Sequence, residues 1–177
     1  MRIIPSFSKE SERGEVFFNS LSYFCSREEG SVRGDRNEGT SRYQPSGGLV
    51  GFNHTQWRSM ILPNHAFNAT ALLDEIFIFC ASEIFTQELQ ERFGAVACIE
   101  IRNIESICRR VRRVLPSKAA FFNRRVTYYN PTKGPMERWA LPDLIATSKT
   151  DDYAWRREYR FIFPSPRLWN LRRYLWS

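Results

Sequence analysis

Apolar residues are concentrated in short runs along the chain, and these runs predict strands. The run "EIFIFCAS", from Glu75 to Ser82, is rich in Ile and Phe and is bounded by polar residues, which is typical of a central strand. The runs "VACIEI" and "RRVTYY" predict two further strands, and Val16 to Phe18 predict a short one near the start. The last clear strand is predicted from Trp155 to Phe163.

Between these runs the pattern changes to helical spacing. In "NIESICRRVRRVLPS" apolar residues recur three and four positions apart, with Asn103 as the N-cap and Pro116 as the terminator. A compact helix is predicted between Thr86 as N-cap and Gly94, and a short one after Ser20. The C-terminal segment 164–177 is apolar at helical spacing and predicts a short docking helix.

Strands interspersed with short helices and irregular loops predict one α+β domain over residues 1–177, with a mixed or antiparallel sheet rather than a doubly wound one. The 177 residues, 42% of them apolar, are enough for a genuine core. No stretch approaches the roughly twenty apolar residues that span a bilayer, and the N-terminus becomes charged early. We therefore expect a soluble, cytoplasmic protein without a membrane partner.

Charge is unevenly distributed along the chain. Residues 1–100 carry 9 basic and 13 acidic side chains, a net of −4, whereas residues 101–177 carry 17 and 6, a net of +11. This asymmetry favours a polyanionic partner such as RNA or DNA, although a basic surface can also serve solubility alone. Arg109 and Arg112, on the polar side of the helix after Asn103, are candidate nucleic-acid contacts, and a merely solvated helix face is the alternative.

The most informative strand is the one from Trp155 to Phe163. Alternation places mostly aromatic side chains on one face and Arg156, Glu158 and Arg160 on the other. Two cations beside Glu158 favour its ionised form, and both guanidinium groups are suited to phosphate oxygens, as in nucleic acid. The alternative is a structural ladder in which Glu158 pairs with its neighbours on a half-exposed sheet face.

The loop "GSVRGDRNEGTSRY", from Gly30 to Tyr43, is a candidate rim of an active site. It holds Asp35 and Glu38 among three arginines, and we expect the arginines to contact the ligand. Asp35 predicts an Asx-type turn after Gly34, and Glu38 is expected to brace the loop through neighbouring backbone amides.

The order of the motifs "GEVFFNSLSYF", "RGDRNEGT", "IFCASE", "ACIEI", "RRVTYY", "SK" and "EYRF" resembles a family of small bacterial and prophage-borne domains with the ADP-ribosyltransferase-like fold of toxin and phage-defence proteins. The resemblance covers about residues 14–163. It implies a split β-sheet that grips NAD in a cleft, a glutamate on a late strand and a serine on the middle strand that braces it. It also implies a toxin or phage-defence setting and leaves room for an antitoxin partner.

Carried over by position, the resemblance implies roles for individual residues. Glu158 corresponds to the catalytic glutamate and Ser82 to the bracing hydroxyl. The loop supplies the cofactor contacts, with Tyr43 stacking on nicotinamide, Arg33 or Arg42 on the pyrophosphate, and Glu38 in the rim. Arg156 stands where arginine-modifying transferases use Gln or Glu, which favours a phosphate-rich acceptor over a protein arginine.

Two other functions compete with this interpretation. In a metal-dependent nuclease, Asp35, Glu38 and Glu158 would hold Mg²⁺ beside Lys149, but no recognisable spacing supports such a site, and the neighbouring arginines would repel the cation.

A non-catalytic nucleic-acid-binding module is the second alternative. It would use Tyr128, Tyr129, Trp139 and Trp155 as stacking surfaces, although aromatic residues at strand spacing usually belong to the core. The pattern offers His54 and His65 no partners for a hydrolytic triad, so both are expected in loops or at the surface.

Overall fold

The main sheet is built around the apolar run that predicts a central strand. The computed structural model of the protein describes residues 2–3, 16–26, 35–95, 97–117, 119–133 and 141–165. In it this run forms β7, Ile76–Ser82, which pairs antiparallel along its full length with β12, Glu158–Pro164. The other strands of this sheet are β1 (Arg2–Ile3), β2 (Asn19–Ser20), β8 (Ile99–Glu100) and β9 (Phe122–Arg125).

The helices begin and end where the sequence predicts capping. Ser20, Thr86 and Asn103 each accept a backbone N–H from the first turn of a helix, and Gly94 ends the second helix in the left-handed conformation. These helices are α1 (Leu21–Cys25), α2 (Gln87–Phe93), α3 (Ile104–Val114) and α4 (Pro142–Ile145). Two 3₁₀ helices span Leu73–Glu75 and Asp151–Arg156.

Both faces of the main sheet are covered, because alternate residues of β7 and β12 enter two different core clusters. On one face Phe161 packs with Ala81, Phe121 and the apolar side of α3. On the other face Ile78 and Ile162 pack with residues of α1 and α4. Glu158 and Arg160 lie on this second face, since they alternate with Phe161 and share the side of Ile162. Their strand position therefore directs them into the protein.

Residues 40–70 form two nested antiparallel pairs. They comprise β3 (Thr40–Tyr43), β4 (Leu49–Asn53), β5 (Arg58–Leu62) and β6 (Phe67–Thr70), with β3 paired to β6 and β4 to β5. Pro45, Gly47, Gly48, Pro63 and Asn64 lie between the strands, and only strands of four or five residues fit between these turns. His54 and His65 are exposed in two of the turns, as expected.

Four predicted strands differ from the structure. Of "VACIEI", only Ile99–Glu100 is in a strand among the described residues. Trp155 and Arg156 belong to a 3₁₀ helix, and Arg157 adopts a left-handed φ of 43°, so the last strand begins only at Glu158. The "RRVTYY" segment divides at Val126 into β9 and β10 (Thr127–Tyr129), which join different sheets. The first predicted strand, residues 16–18, lies outside any strand. The C-terminal docking helix falls on residues 166–177, which lie outside the described residues.

The strand β10 pairs in parallel with β11 (Ser148–Thr150), which places Tyr128 beside Lys149. The prediction of an α+β domain with short helices and a largely antiparallel sheet is confirmed. In the part of the chain that the structure describes, none of the helices has the length and apolar character required to cross a lipid bilayer.

Candidate functional site

Six charged side chains from distant parts of the chain meet on the covered face of the main sheet. We call them the charge cluster: Asp35, Glu38, Lys149, Arg156, Glu158 and Arg160. None of these side chains is more than 8% exposed. Burying isolated charges is strongly unfavourable, so the cluster depends on close pairing of its three carboxylates with its three cations.

Glu158, at the start of β12, has both carboxylate oxygens occupied. Its Oε1 accepts from Lys149 Nζ at 2.9 Å and from Arg156 Nη1 at 3.2 Å. Its Oε2 accepts from Arg160 Nε at 3.1 Å and Nη2 at 2.8 Å. The backbone N–H of Glu158 donates to the hydroxyl oxygen of Tyr128 at 2.8 Å. The carboxylate is therefore fixed by four side-chain donors.

Arg160 joins the last strand to the candidate rim loop. Its Nη1 and Nη2 donate to Glu38 Oε1 and Oε2 at 2.6 and 2.9 Å, which is a bidentate pair. The same guanidinium donates to the backbone oxygen of Ala146 at 2.6 Å. Because Arg160 is fully buried and bonds two carboxylates, it holds Glu38 and Glu158 at a fixed separation.

Lys149, on β11, lies between the three carboxylates. Its Nζ is 2.9 Å from Glu38 Oε2, 2.9 Å from Glu158 Oε1 and 3.5 Å from Asp35 Oδ2. A compact ammonium group with three donors suits this position, because each donor can face a different carboxylate.

The loop that carries Glu38 is shaped by local backbone bonds. Asp35 Oδ1 accepts the backbone N–H of Asn37 at 2.9 Å, so the predicted Asx turn is confirmed. Gly39 follows with a left-handed φ of 70°, and an added Cβ there would lie 2.5 Å from Leu73 Cδ2. Only glycine fits this turn without strain, and the turn directs Glu38 into the protein.

Ser82 stabilises the backbone next to Glu158. Its hydroxyl donates to the backbone oxygen of Arg156 at 2.8 Å, and in the sheet register Ser82 lies opposite Glu158. The predicted brace thus acts on the peptide that leads into β12, because the hydrogen bond ends on the main chain rather than on the carboxylate. Ser82 is in this sense a positioning residue.

Burial and charge act in opposite directions on the two glutamates. Burial alone would raise the pKa of Glu158, but the charges of Lys149, Arg160 and Arg156 outweigh it and hold this pKa well below its usual range. Burial likewise opposes ionisation of Glu38, and Arg160 and Lys149 lower its pKa in the same way. Both groups are therefore ionised at neutral pH.

The pKa values of Lys149 and Asp35 shift in the opposite direction, upwards. Burial lowers the pKa of Lys149, but Glu158 and Glu38 raise it to about 12. For Asp35, burial and the neighbouring Glu38 carboxylate raise the pKa, and Lys149 offsets this only in part. Asp35 is thus the carboxyl group of the cluster that most readily takes up a proton.

The structure brings together four of the residues predicted from the sequence, namely Glu38, Arg156, Glu158 and Arg160. Two predictions about them need correction. Glu38 does not brace its loop through backbone amides, because its carboxylate bonds Arg160 and Lys149. Arg156 and Arg160 are 5% and 0% exposed, so they do not form the nucleic-acid surface that the strand pattern predicted.

Among the described residues, the carboxylate of Glu158 is covered rather than open to the NAD cleft that the resemblance implies. The carboxylate oxygens point at Lys149, Arg156 and Arg160, and the residue is 7% exposed. The physical reason is that the predicted polar face of β12 lies against α1 and α4 rather than against solvent.

The remaining predicted site residues lie apart from these contacts. On β3, Arg42 bonds the side chain of Gln44, and Tyr43 pairs with Phe67. Arg109 and Arg112 are exposed on α3. Arg33 lies outside the described residues.

Sequence reasoning missed the central position of Lys149 and two tyrosines of the site. Lys149 is named only within the "SK" motif and the nuclease alternative, and Tyr128 only within "RRVTYY" and as a stacking surface. Tyr153, whose ring lies under Arg156 at 4.4 Å and near Lys149 at 5.0 Å, was not singled out. The sequence signal for these residues is weak, because each contact depends on a separate strand or 3₁₀ turn.

The three carboxylates of the nuclease alternative do converge, but on the ammonium of Lys149. Within the described ranges, no group of three or more His, Cys, Asp or Glu side chains is arranged to hold a metal ion.

Comparison with known proteins adds no relative. No protein-family model matches the chain, and neither a curated protein nor a solved structure matches it.

Proposed function

We propose that the charge cluster is the active site of an ADP-ribosyltransferase-like enzyme, which cleaves NAD and transfers ADP-ribose to a nucleic acid. One observation carries this proposal: Glu38 of the rim loop and Glu158 of the last strand, 120 positions apart, are joined through Arg160 and Lys149. These are the two segments that the family resemblance assigns to the cofactor rim and the catalytic strand.

Glu158 suits the electrostatic part of this reaction. Cleavage of the nicotinamide–ribose bond develops positive charge on the ribose in an oxocarbenium-like transition state. An ionised carboxylate held in a fixed orientation stabilises that charge without reorganising during the reaction. The low pKa of Glu158 keeps it ionised, and Arg160 fixes its Oε2.

Access to Glu158 requires an exchange of partners on Oε1. This oxygen is held by Lys149 and by Arg156, and Glu158 and Arg156 are the two most exposed side chains of the cluster. In the proposed complex, Arg156 and Lys149 would hold the pyrophosphate of NAD, and Oε1 of Glu158 would then face the ribose. Arginine and lysine both bind phosphate oxygens well, so one anion replaces another.

The protonation of the cluster favours this exchange. With three carboxylates and three cations all charged, the cluster is neutral. Because the pKa of Asp35 is raised, protonation of this group is the least costly way to leave a net positive charge. That charge would attract the anionic pyrophosphate.

The proposed acceptor rests on two features of the sequence. Arg156 has no acceptor with which to orient the guanidinium of a protein arginine, and the net charge of +11 over residues 101–177 favours the phosphates of RNA or DNA. The resemblance extends the proposal to a cytoplasmic toxin or phage-defence enzyme, with an antitoxin as a further partner.

Mass spectrometry tests the proposal directly. The purified protein is incubated with NAD and either total RNA or DNA, and free nicotinamide and ADP-ribosylated nucleotides are quantified. We expect nicotinamide release together with an adduct on one of the two nucleic acids. Intact NAD after incubation with folded protein and both acceptors would overturn the proposal.

A further inference from the structure

Among the described residues, a surface hollow beside α3 is lined by three arginines and lies away from the charge cluster. It has a volume of about 510 Å³, which is in the range of small-ligand sites. We call it the arginine hollow, and it is lined by Ile104, Glu105, Cys108, Arg109, Arg112, Arg113 and Asn123.

Three arginines stand along one side of this hollow because of their helical spacing. Arg109, Arg112 and Arg113 lie three and four positions apart, so their side chains share one side of α3. All three are exposed. Within the described residues, neither Arg109 nor Arg113 forms an ion pair, although Glu105 stands one turn before Arg109 on the same helix.

One of the three arginines, Arg112, is held against the rest of the protein. Arg112 Nη2 donates to the backbone oxygen of Phe121 at 3.5 Å, and its guanidinium lies 6.0 Å from the Phe121 ring. These contacts hold Arg112 against the body of the protein. Arg109 and Arg113 remain available for a ligand.

The floor of the hollow has a different chemistry from its rim. Ile104 and Cys108 are half-buried and apolar, and Asn123 on β9 donates its amide to Cys108 Sγ at 2.8 Å. This bond fixes the amide orientation and leaves the Asn123 carbonyl oxygen as an acceptor. A flat heterocycle can pack on the apolar part and donate to this oxygen.

We infer that the arginine hollow binds single-stranded nucleic acid, with phosphates on Arg109 and Arg113 and one base on the floor. Guanidinium groups bind phosphates bidentately, and an unpaired base can enter a hollow of this size, whereas a stacked base in a duplex cannot. The net charge of +11 over residues 101–177 draws the strand to this half of the chain. This inference needs no NAD and goes beyond the proposed reaction.

Fluorescence anisotropy with labelled 20-nucleotide single strands tests the inference, with RNA and DNA in separate arms and a duplex in a third. The double variant Arg109→Gln/Arg113→Gln removes two arginines of the hollow that form no ion pair within the described residues, and it leaves Arg112 in place. The matched control, Arg58→Gln/Arg92→Gln, removes the same charge from β5 and α2. Binding is measured without NAD at several salt concentrations, and the cleavage of NAD is tested separately by nicotinamide release.

We expect the wild type and the control to bind the single-stranded RNA, the single-stranded DNA or both. The strand that binds with the higher affinity is the preferred ligand. The double variant should bind about tenfold more weakly or worse, because each lost arginine removes a charge-assisted contact. The slope of log K against log salt should fall by about 1.4, the value for two phosphate contacts on a single strand. Equal weakening in the control, tighter binding to the duplex, or no binding by the wild type would overturn the inference.

Discussion

Replacing Lys149 with methionine should destabilise the protein strongly, because this change removes the one ammonium group that three buried carboxylates share. Methionine fills a similar volume, so the loss of charge dominates the effect. Glu38 and Glu158 keep Arg160 as a partner, whereas Asp35 loses the cation 3.5 Å from its Oδ2. Removing one partner of a buried ion pair costs about 3–5 kcal/mol, which for a protein of this size lowers Tm by roughly 6–20 °C.

The pH dependence of this loss identifies its cause. Without the ammonium group, the folded-state pKa values of the three carboxylates rise, so the variant takes up a proton at a pH where the wild type does not. The destabilisation should therefore be largest near pH 8 and shrink towards pH 5. For each extra proton that the folded variant binds, the difference in the free energy of unfolding between wild type and variant changes by about 1.4 kcal/mol per pH unit.

Chemical denaturation at pH 5, 6, 7 and 8 measures both effects, with Arg125→Met as the control. Arg125 bonds Glu83 at 2.7 Å, but its side chain is 77% exposed, and such a surface pair contributes only about 0–1 kcal/mol. If Lys149→Met lowers the free energy of unfolding no more than this control does, the cluster behaves as a set of solvated ion pairs, and a strongly stabilising role for Lys149 is refuted. A large loss that is constant from pH 5 to 8 would also refute the carboxylate explanation.

Three smaller predictions concern the same site. Stability should fall as pH rises from about 10.4 through the pKa of Lys149, which is raised to about 12, and alkaline denaturation of Lys149→Met should lack this step. Tyr128→Phe removes the acceptor of the buried Glu158 N–H and should cost about 1–3 kcal/mol in chemical denaturation. Ser82→Ala removes the hydrogen bond to the Arg156 carbonyl and should lower the free energy of unfolding by about 1–2 kcal/mol. Under the proposed function it should also lower NAD turnover more than Tyr128→Phe does. Equal turnover in the two variants would assign Ser82 a purely structural role.

The parts of the fold that were predictable from sequence depend on local physics. The ends of α2 follow from the Thr86 cap and from Gly94, which adopts a left-handed φ of 56°. The start of α3 follows from Asn103, whose side chain accepts the N–H of Ser106. The central strand β7 follows from its apolar run. Each of these signals lies within a few residues of the feature that it specifies.

The errors arise where tertiary contacts override the local pattern. The residues before Glu158 have strand-like composition, yet they form a 3₁₀ turn that ends with Arg157 in the left-handed region. Hydrogen bonds from Ser82, the last residue of β7, and from Glu83, which follows it, to the backbone at Arg156 and Arg157 hold this turn, and these donors lie more than 70 positions earlier. No local signal in the sequence marks these bonds.

In the candidate site too, the local features were predictable from the sequence and the tertiary contacts were not. Alternation along β12 correctly placed Glu158 and Arg160 on one face, because side-chain direction is a local property. It did not show that the face is covered, since the covering residues come from α1 and α4. The position of Lys149 likewise depends on the pairing of β10 with β11, which joins segments about twenty residues apart.

Nicotinamide release by matched carboxylate variants is the most direct measurement of the central claim. Glu158→Gln removes one negative charge from the charge cluster. Glu83→Gln removes one negative charge just after β7, where Glu83 pairs with the exposed Arg125. Turnover of NAD is followed by chromatography at pH 7.5, and circular dichroism establishes that each variant is folded. The account predicts that Glu158→Gln lowers turnover by about 10²–10³-fold, as expected for loss of one preorganised electrostatic group, while Glu83→Gln stays near the wild-type rate. Equal turnover in folded Glu158→Gln and wild type would contradict it.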